Sequence, residues 1–327
     1  MSQDFTHDLF LGALRDHINE QHVKGVTDKE ILSKLNDRKI EQIYSTLIEQ
    51  MAKDCISDLH DNLYERVLQE RANNARFMVH NEQIWQKGFV ASEMMYLIVL
   101  DAAESYKEIF NELPDDKKQK IQYRYTAICQ LHGRACQQYL EILCLLKSGF
   151  ADAAFARWRS MYELCVVAQF IKENEEIVAK AYWGESFHNN TKEYRWARKA
   201  PRFAQCEEAI SFRDLLDACD PIITKWKKQY GLSNKVIHAS PQGTFARLGK
   251  PQNLDIVAVG PSDYGLAIPA VNSAVALSII SAIFLTLLHS GDGVLYSRVI
   301  TSWVDKIRET YSEIEKNSFD QGENKVP

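Results

Sequence analysis

The stretch LAIPAVNSAVALSIISAIFLTLL, from Leu266 to Leu288, carries no formal charge and is predominantly apolar on every side of a helical projection. Such a segment is long enough to cross a bilayer, but in a soluble chain this pattern is typical of a helix surrounded by other helices. Pro269, Asn272 and several hydroxyl side chains interrupt it, and no Lys or Arg follows before Arg298 to orient it in a membrane. The sequence therefore predicts the central helix of a bundle, with a membrane span as the weaker alternative.

The rest of the composition also favours a bundle of long helices. Only 14 Gly and 8 Pro punctuate the 327 residues, too few for a protein made of many short strands and tight turns. A hydrophobic content of 46% can fill a large core without disulfides. We predict an all-α multi-helix bundle, with a small irregular or β-hairpin insertion near residues 243–262.

Cysteine usage and the N-terminus predict a cytoplasmic protein without a membrane anchor. The seven cysteines include no CxxC pair and lie mostly in apolar stretches, which is typical of reduced thiols in a core. The opening residues, MSQDFTHDLF, lack the basic and apolar regions of a secretory signal. Cys129, His132 and Cys136 share one helical face, but core packing is favoured over metal binding there. The sequence therefore predicts no metal and no other cofactor.

Long amphipathic helices are predicted for the N-terminal third. After a first helix over residues 4–21, Thr27 and Glu30 predict a capping-box start for a second helix. Apolar residues then recur at helical spacing from residue 31 to residue 67. We interpret this pattern as one extended helix, possibly bent and suited to dimerisation, and the stretch from His80 to Gly88 as an interruption before the next helix.

These elements suggest three parts of the chain. Residues 1–114 form an N-terminal helical region that ends at Pro114. Residues 115–316 form the helical bundle. Residues 317–327 are polar and are expected to be a disordered tail.

Two segments place polar side chains among apolar ones. The first, FARWRSMYELCVVAQF from Phe155 to Phe170, directs Glu163 toward an apolar stripe of its helix. A buried carboxylate must be paired or neutralised. Arg159, one turn earlier, and Arg157 are the nearest candidate partners, although a cation from another helix would serve equally well.

The second segment, KKQYGLSNKVIHAS from Lys227 to Ser240, contains a candidate catalytic group. Asn234 and His238 are four residues apart and share a helical face, with Lys235 beside them. An imidazole titrates near neutral pH and can take up and return a proton, while an amide and a cation can hold a phosphate. The alternative is that Glu163, Arg159 and His238 form one internal polar network that fixes helix packing.

These two segments, together with GPSDYGLAIPAVNSAVAL from Gly260 to Leu277, resemble a bacterial domain family of unknown function, DUF5677. The resemblance covers about residues 118–308. That family is similar to the HEPN superfamily, whose helical bundles often dimerise and include metal-independent ribonucleases of toxin and antiphage systems. The resemblance implies a homodimer that acts on RNA and is restrained by an antitoxin, by another defence-system protein or by its own N-terminal helices.

HEPN ribonucleases carry an Arg, four to six further residues and then a His. His238 matches this histidine and Asn234 resembles the polar residue within the motif, whereas Gly231, Leu232 and Ser233 occupy the positions of the arginine. The resemblance implies attack of a ribose 2′-hydroxyl on its own phosphate, with His238 as acid and base. Asn234 and a cation would hold the phosphorane. The candidate catalytic set is His238, Asn234, Lys235, Arg157, Arg159 and Glu163, with Lys228 as another possible source of the cation.

Positive charge is concentrated around this motif. Residues 186–250 hold twelve Lys and Arg against six Asp and Glu, whereas the whole chain has a formal net charge of −5. Tyr194, Trp196 and Trp226 alternate with cations, as on surfaces that bind single-stranded nucleic acid. The alternative is a solvated basic face whose aromatic residues turn to the core. The candidate RNA-binding residues are Lys192, Arg195, Arg198, Lys199, Arg202, Lys225, Lys227 and Lys228.

Three functional hypotheses stay open. The leading one is a HEPN-like endoribonuclease or RNA-binding effector of a bacterial toxin or antiphage system. The second is a non-catalytic helical sensor or scaffold, and the third is a membrane protein. Glycine-rich nucleotide-binding loops, HExxH and GxSxG are all missing from the sequence, which disfavours nucleotide-fold, zincin and α/β-hydrolase chemistry.

Overall fold

The computed structural model describes residues 5–187, 194–219, 223, 225–237, 240–251, 257 and 259–319. Within these residues the regular structure consists of helices and no strand, so the all-α prediction is confirmed. Two 3₁₀ helices, Arg195–Lys199 and Pro201–Phe203, accompany the α-helices. The α-helices are α1 (Phe5–Val23), α2 (Asp28–Lys34), α3 (Asp37–Asp61), α4 (Leu63–Asn111), α5 (Asp115–Lys147), α6 (Ala151–Glu173), α7 (Glu176–Glu185), α8 (Phe212–Ala218), α9 (Lys227–Ile237), α10 (Pro241–Phe245), α11 (Ala267–Leu285) and α12 (Gly291–Ser318).

The chain divides into two compact units, residues 1–74 and 75–327. In the first unit, the predicted capping box forms, since the backbone N–H of Thr27 donates to the Glu30 carboxylate at 3.1 Å. The single long helix predicted after residue 31 is wrong. The chain leaves the helical conformation at Leu35, and the side chain of Asn36 caps α3 by accepting from the N–H of Lys39. A second interruption falls at Asn62, between α3 and α4.

The predicted interruption from His80 to Gly88 is also wrong, because α4 runs through it without a break. A polar side chain of this stretch forms hydrogen bonds to another helix of the bundle. Buried Asn81 donates to the carbonyls of Leu146 and Lys147 at the end of α5, at 3.0 and 2.9 Å. Gly88 allows a close helix crossing, since a Cβ placed there would lie 2.8 Å from the ring of Tyr311 on α12. The sequence pattern resembled a helix end because the partners of Asn81 and Gly88 lie on other helices, far away in the sequence.

Helix α11 is the centre of the second unit, as predicted, and packs against α5, α6 and α12. By length and composition α11 could cross a membrane, but most of it is buried inside the protein, which is consistent with a soluble chain. Its buried hydroxyl groups have partners. Ser278 pairs with Thr301 of α12 at 3.2 Å, and Ser281 pairs with His132 of α5 at 3.0 Å. The buried hydroxyl groups of this helix are therefore hydrogen-bonded within the core, whereas Nδ2 of the buried Asn272 has no hydrogen-bond partner among the described residues.

The hairpin predicted near residues 243–262 is not confirmed. The first strand of this hairpin is predicted over residues 244–248, but residues 244 and 245 belong to α10. The second is predicted over residues 254–259, most of which lie outside the described residues. The connection is instead held against α6 by Asp152, which accepts from the N–H of Leu248 at 2.9 Å and pairs with Arg247. Gly265 has a φ of +71°, and a Cβ there would lie 2.2 Å from the carbonyl oxygen of Leu248.

The C-terminal helix extends into the segment that the sequence predicts to be a disordered tail. Helix α12 ends at Ser318, and Phe319 stacks on the ring of Trp85 with centroids 5.8 Å apart. Residues 320–327 of the predicted tail lie outside the described residues. The described end of the chain is therefore joined to the bundle through an aromatic contact with α4.

Two separate substitutions, Gly88→Ala and Gly133→Ala, test the close crossing of α4 and α12. Tyr311 is fully buried and hydrogen-bonded to Ser92, so its ring has little room to move away from a new methyl group. We expect Gly88→Ala to lower the free energy of unfolding, because overpacking costs about 1–3 kcal/mol. The exposed helical Gly133 has no atom within 4 Å of a built Cβ. There, Gly133→Ala should stabilise the protein by about 1 kcal/mol through helix propensity. Urea unfolding followed by circular dichroism measures both changes, and a stabilised Gly88→Ala variant would contradict the crossing.

Candidate functional site

The candidate site lies where α9 packs against α6. Arg159 and Glu163 are one turn apart on α6 and form an ion pair at 3.2 Å. Tyr230 of α9 joins both, since its hydroxyl accepts from Nη2 of Arg159 at 3.0 Å and donates to Oε1 of Glu163 at 2.8 Å. The guanidinium also lies over the Tyr230 ring, 5.0 Å from its centroid. Of the candidate partners of Glu163, Arg159 is the one that pairs with it, and the Tyr230 hydroxyl fastens α9 to this pair on α6.

Aromatic packing holds Tyr230 in this position. Its ring lies against Tyr162 and Phe212, with centroids 5.4 and 5.3 Å away. Burial, which opposes ionisation of the phenol, raises the pKa of Tyr230 to about 12. The hydroxyl therefore keeps its proton at physiological pH and can donate to Glu163 while it accepts from Arg159.

Arg157, the other candidate partner of Glu163, is bound elsewhere. Its Nε donates to the carboxylate of Glu141 on α5. Arg157 and Arg159 are thus each paired with a carboxylate. Neither guanidinium is an unpaired cation to hold a phosphate in this structure.

Asn234 and Lys235 lie near the described end of α9. Oδ1 of Asn234 is buried and has no hydrogen-bond partner within the described part of the chain. Lys235 is exposed, and no described carboxylate lies within 4.0 Å of its ammonium. Its side chain is therefore the unpaired cation closest in sequence to His238, which lies outside the described residues.

The start of α10 is fixed against the end of α9. Ser240 caps α10 by accepting from the N–H of Gly243 at 3.0 Å, and its hydroxyl donates to the carbonyl of Lys235 at 3.1 Å. A Cβ on Gly243 would lie 1.7 Å from that same carbonyl oxygen, so only glycine fits there. The described residues that flank His238 are thereby linked to each other.

The predicted RNA-binding cations differ in their surroundings. Arg198 donates to the backbone carbonyls of Glu207 and Glu208, and Lys227 pairs with Asp217 at 2.6 Å. Arg195 is exposed, and Lys192 lies outside the described residues. Four further cations are exposed and have no carboxylate partner in the parts of the chain described: Lys199, Arg202, Lys225 and Lys228.

The aromatic residues between these cations also divide into two groups. Trp196 is 5% exposed and packs edge-on against Phe170 and Tyr182, so it belongs to the core. Tyr194 and Trp226 are partly exposed. The alternative in which the aromatic residues turn inward therefore holds for Trp196, and a base could stack only on the other two.

His132, Cys129 and Cys136 form part of the helical core. Nε2 of His132 bonds to Ser281, and its ring stacks on Phe284 with centroids 5.0 Å apart. Burial lowers the pKa of His132 to about 4 and raises the pKa of the Cys136 thiol to about 12. A protonated thiol suits core packing better than metal binding, which requires a thiolate, and the described residues contain no cluster of three metal-ligating side chains.

Sequence reasoning missed two members of the site, Tyr230 and Glu141. A signal for Tyr230 was present, because it lies four residues before Asn234 and so extends the face that Asn234 shares with His238. Glu141 belongs to another helix, and nothing in the spacing of α6 indicates it. The polar face of α9 was therefore recognisable, but its partners across the helix interface were not.

Comparison with known proteins adds one match. The model of a family described as "Family of unknown function (DUF5677)" matches residues 125–253, from α5 through α10. No curated protein and no solved structure matches the chain. The match includes the junction of α6 and α9 and supports the resemblance to this family over those residues, whereas the segment from Gly260 to Leu277 lies outside it. The match assigns no activity.

Two separate substitutions, Tyr230→Phe and Tyr264→Phe, test the junction of α6 and α9. We expect Tyr230→Phe to lower the free energy of unfolding by about 1–3 kcal/mol, because it removes hydrogen bonds to two charged groups. The hydroxyl of Tyr264 makes no hydrogen bond to the described residues, so Tyr264→Phe should change stability by less than about 0.5 kcal/mol. Urea unfolding curves of the three proteins supply the measurement. Equal curves for the wild type and Tyr230→Phe would show that the hydroxyl does not join the two helices.

Proposed function

We propose that this protein is a cytoplasmic, HEPN-like endoribonuclease that works without a metal ion, as an effector of a bacterial toxin or antiphage system. The observation that carries the proposal is the unpaired ammonium of Lys235. It lies beside Asn234 and three residues before His238, on a helix fastened to α6 by Tyr230. The imidazole would supply acid and base chemistry, and Lys235 would supply the positive charge that the pattern of the superfamily takes from an arginine.

The proposed reaction uses the substrate's own nucleophile. His238 removes the proton from a ribose 2′-hydroxyl, whose oxygen attacks the neighbouring phosphorus as the bond to the 5′-oxygen breaks. The imidazolium then returns a proton to that 5′-oxygen, and the other product ends in a 2′,3′-cyclic phosphate. Lys235 stabilises the negative charge that develops on the phosphorane. The oxygen of Asn234 that has no described partner would accept a hydrogen bond from a sugar hydroxyl when α9 adjusts to the bound RNA.

Exposed cations would bring RNA to this site. Lys199, Arg202, Lys225 and Lys228 have no described carboxylate partner, so the phosphate backbone can bind them without first breaking an ion pair. Phe212 contacts the rings of both Tyr194 and Tyr230. The segment that precedes Arg195 and helix α9 therefore meet in one aromatic cluster, which supports a shared basic surface.

A homodimer is proposed from the first unit. Ile56, Leu59, Leu63 and Val67 recur at helical spacing and are each at least 41% exposed, and no residue of α3 is buried. This stripe runs from the end of α3 to the start of α4, and apolar side chains that stay exposed to water gain little from folding. A second copy of the stripe would cover it, and a symmetric pair of identical patches is the commonest form of protein dimer.

A non-catalytic sensor or scaffold is the second candidate. It is favoured by the pairing of Arg157 and Arg159 with carboxylates, because a fully paired network serves helix packing rather than phosphate binding. In that case the junction of α6 and α9 would have a structural role only. The two candidates differ in whether purified protein cleaves RNA.

Cleavage of single-stranded RNA in the presence of EDTA tests the ribonuclease proposal. We expect the wild type to cut a mixed-sequence RNA and to leave 2′,3′-cyclic phosphate ends. His238→Ala should be slower by about 10²–10⁴, as is typical for loss of a general acid or base. Lys235→Met should be slowed as well, whereas Lys306→Met, an exposed cation on α12, should match the wild type. If the wild type and His238→Ala, both folded by circular dichroism, leave the RNA intact at every salt concentration, the sensor or scaffold candidate is preferred.

Light scattering coupled to size exclusion tests the homodimer. We expect the wild type to elute with the mass of two chains. Leu59→Glu combined with Leu63→Glu should give one chain, because two charges in each copy of the stripe would be desolvated at the interface. Leu32→Glu serves as the control, since Leu32 is 70% exposed on α2 and outside the stripe. A monomeric wild type at tens of micromolar would refute the dimer.

A further inference from the structure

A cavity of about 520 Å³ lies in the second unit, between α6, α11, α12 and the residues just before α9. This volume is within the range of small-molecule sites. One face of α11 forms its apolar wall, through Val275, Ile279 and Ile283, and Val304 of α12 closes the opposite side. The wall follows from the sequence of α11, which is apolar on every side and so remains apolar where no helix covers it.

Cations dominate the charged lining of this cavity. Lys172 of α6, Lys225 and Arg308 of α12 contribute to it, against the single carboxylate of Asp305. Arg308 and Asp305 are paired with each other at 2.5 Å. The two lysines have no carboxylate within 4.0 Å among the described residues, so the cavity keeps a positive charge beside its apolar wall.

Lys172 is the unusual member of this lining. It is half-buried, and its ammonium donates to the hydroxyl of Thr286, the residue that follows α11, in its one hydrogen bond to the described residues. Burial, which disfavours the charged form, lowers the pKa of Lys172. A partly desolvated ammonium with a single neutral partner is unfavourable unless an anion binds beside it.

We propose that this cavity binds a small amphipathic anion, a carboxylate or phosphate attached to an aliphatic body, with its charged head on Lys172. The aliphatic body lies along Val275, Ile279 and Ile283. Lys225 and Trp226 also line the cavity and immediately precede α9, so the ligand contacts the chain that leads into the proposed RNA site. None of the catalytic candidates lines the cavity, so anion binding can be measured apart from RNA cleavage, although Lys225 is shared with the proposed RNA surface.

Isothermal titration with decanoate and with decyl phosphate tests the proposal. We expect one saturable site per chain for at least one of the two anions, and much weaker binding of the neutral decanol. Lys172→Met should weaken binding by about tenfold or more, the change expected from losing a charge-assisted hydrogen bond. Ala282→Trp should abolish binding by filling the cavity, since Ala282 is part of the lining.

Lys306→Met is the matched control, because Lys306 is an exposed cation of α12 that does not line the cavity. It should bind both anions as the wild type does. Circular dichroism of each variant shows whether the bundle is folded. The proposal is refuted if neither anion gives a saturable isotherm with the wild type. It is also refuted if Lys172→Met and Lys306→Met weaken binding equally, since the anion would then respond only to overall charge.

Discussion

The burial of α11 is the constraint on which the rest of the second unit depends. A helix without charge on any side gains most from folding when several helices cover it, and α5, α6 and α12 do so. Each neighbour must then offer an apolar face and a partner for the hydroxyls that α11 brings into the core. His132 and Thr301 meet that second requirement. Histidine is often associated with catalysis or metals, but the buried position of His132 follows from its hydrogen bond to the Ser281 hydroxyl.

Contacts between helices that are distant in the sequence explain what sequence interpretation missed at Tyr230 and Gly88. Interactions within one helix were predictable, because spacing fixes them. Glu163 and Arg159 are one turn apart, and this spacing made Arg159 one of the candidate partners of the carboxylate. Tyr230, which completes that pair, lies 67 residues from Glu163 along the chain, and no local pattern connects the two. Gly88 likewise indicated a helix end until its partner, the ring of Tyr311, was known.

The cations of the candidate site illustrate how pairing limits function. Arg157 and Arg159 lie on α6, within a segment that carries the family resemblance. Each of them forms an ion pair with a carboxylate. Lys225, Lys228 and Lys235 have no such partner among the described residues, whereas Lys227 pairs with Asp217. Lysine is a compact point charge and cannot form the two-pronged contact that arginine makes with a phosphate. An RNA site that uses Lys235 would therefore rely on position and on the imidazole more than on a tight phosphate clamp.

Helix α6 links the two regions to which we assign functions. Its Glu163 holds α9 through Tyr230, and its Lys172 lines the cavity, nine residues further along and thus about 14 Å away at 1.5 Å per residue. The cavity also touches Lys225 and Trp226, which lead into α9. An anion bound there would contact α6 and the start of α9 together, the same two elements that Tyr230 joins. A ligand sensor and an enzyme that acts on RNA are therefore compatible in this fold, because α6 would contribute to both sites.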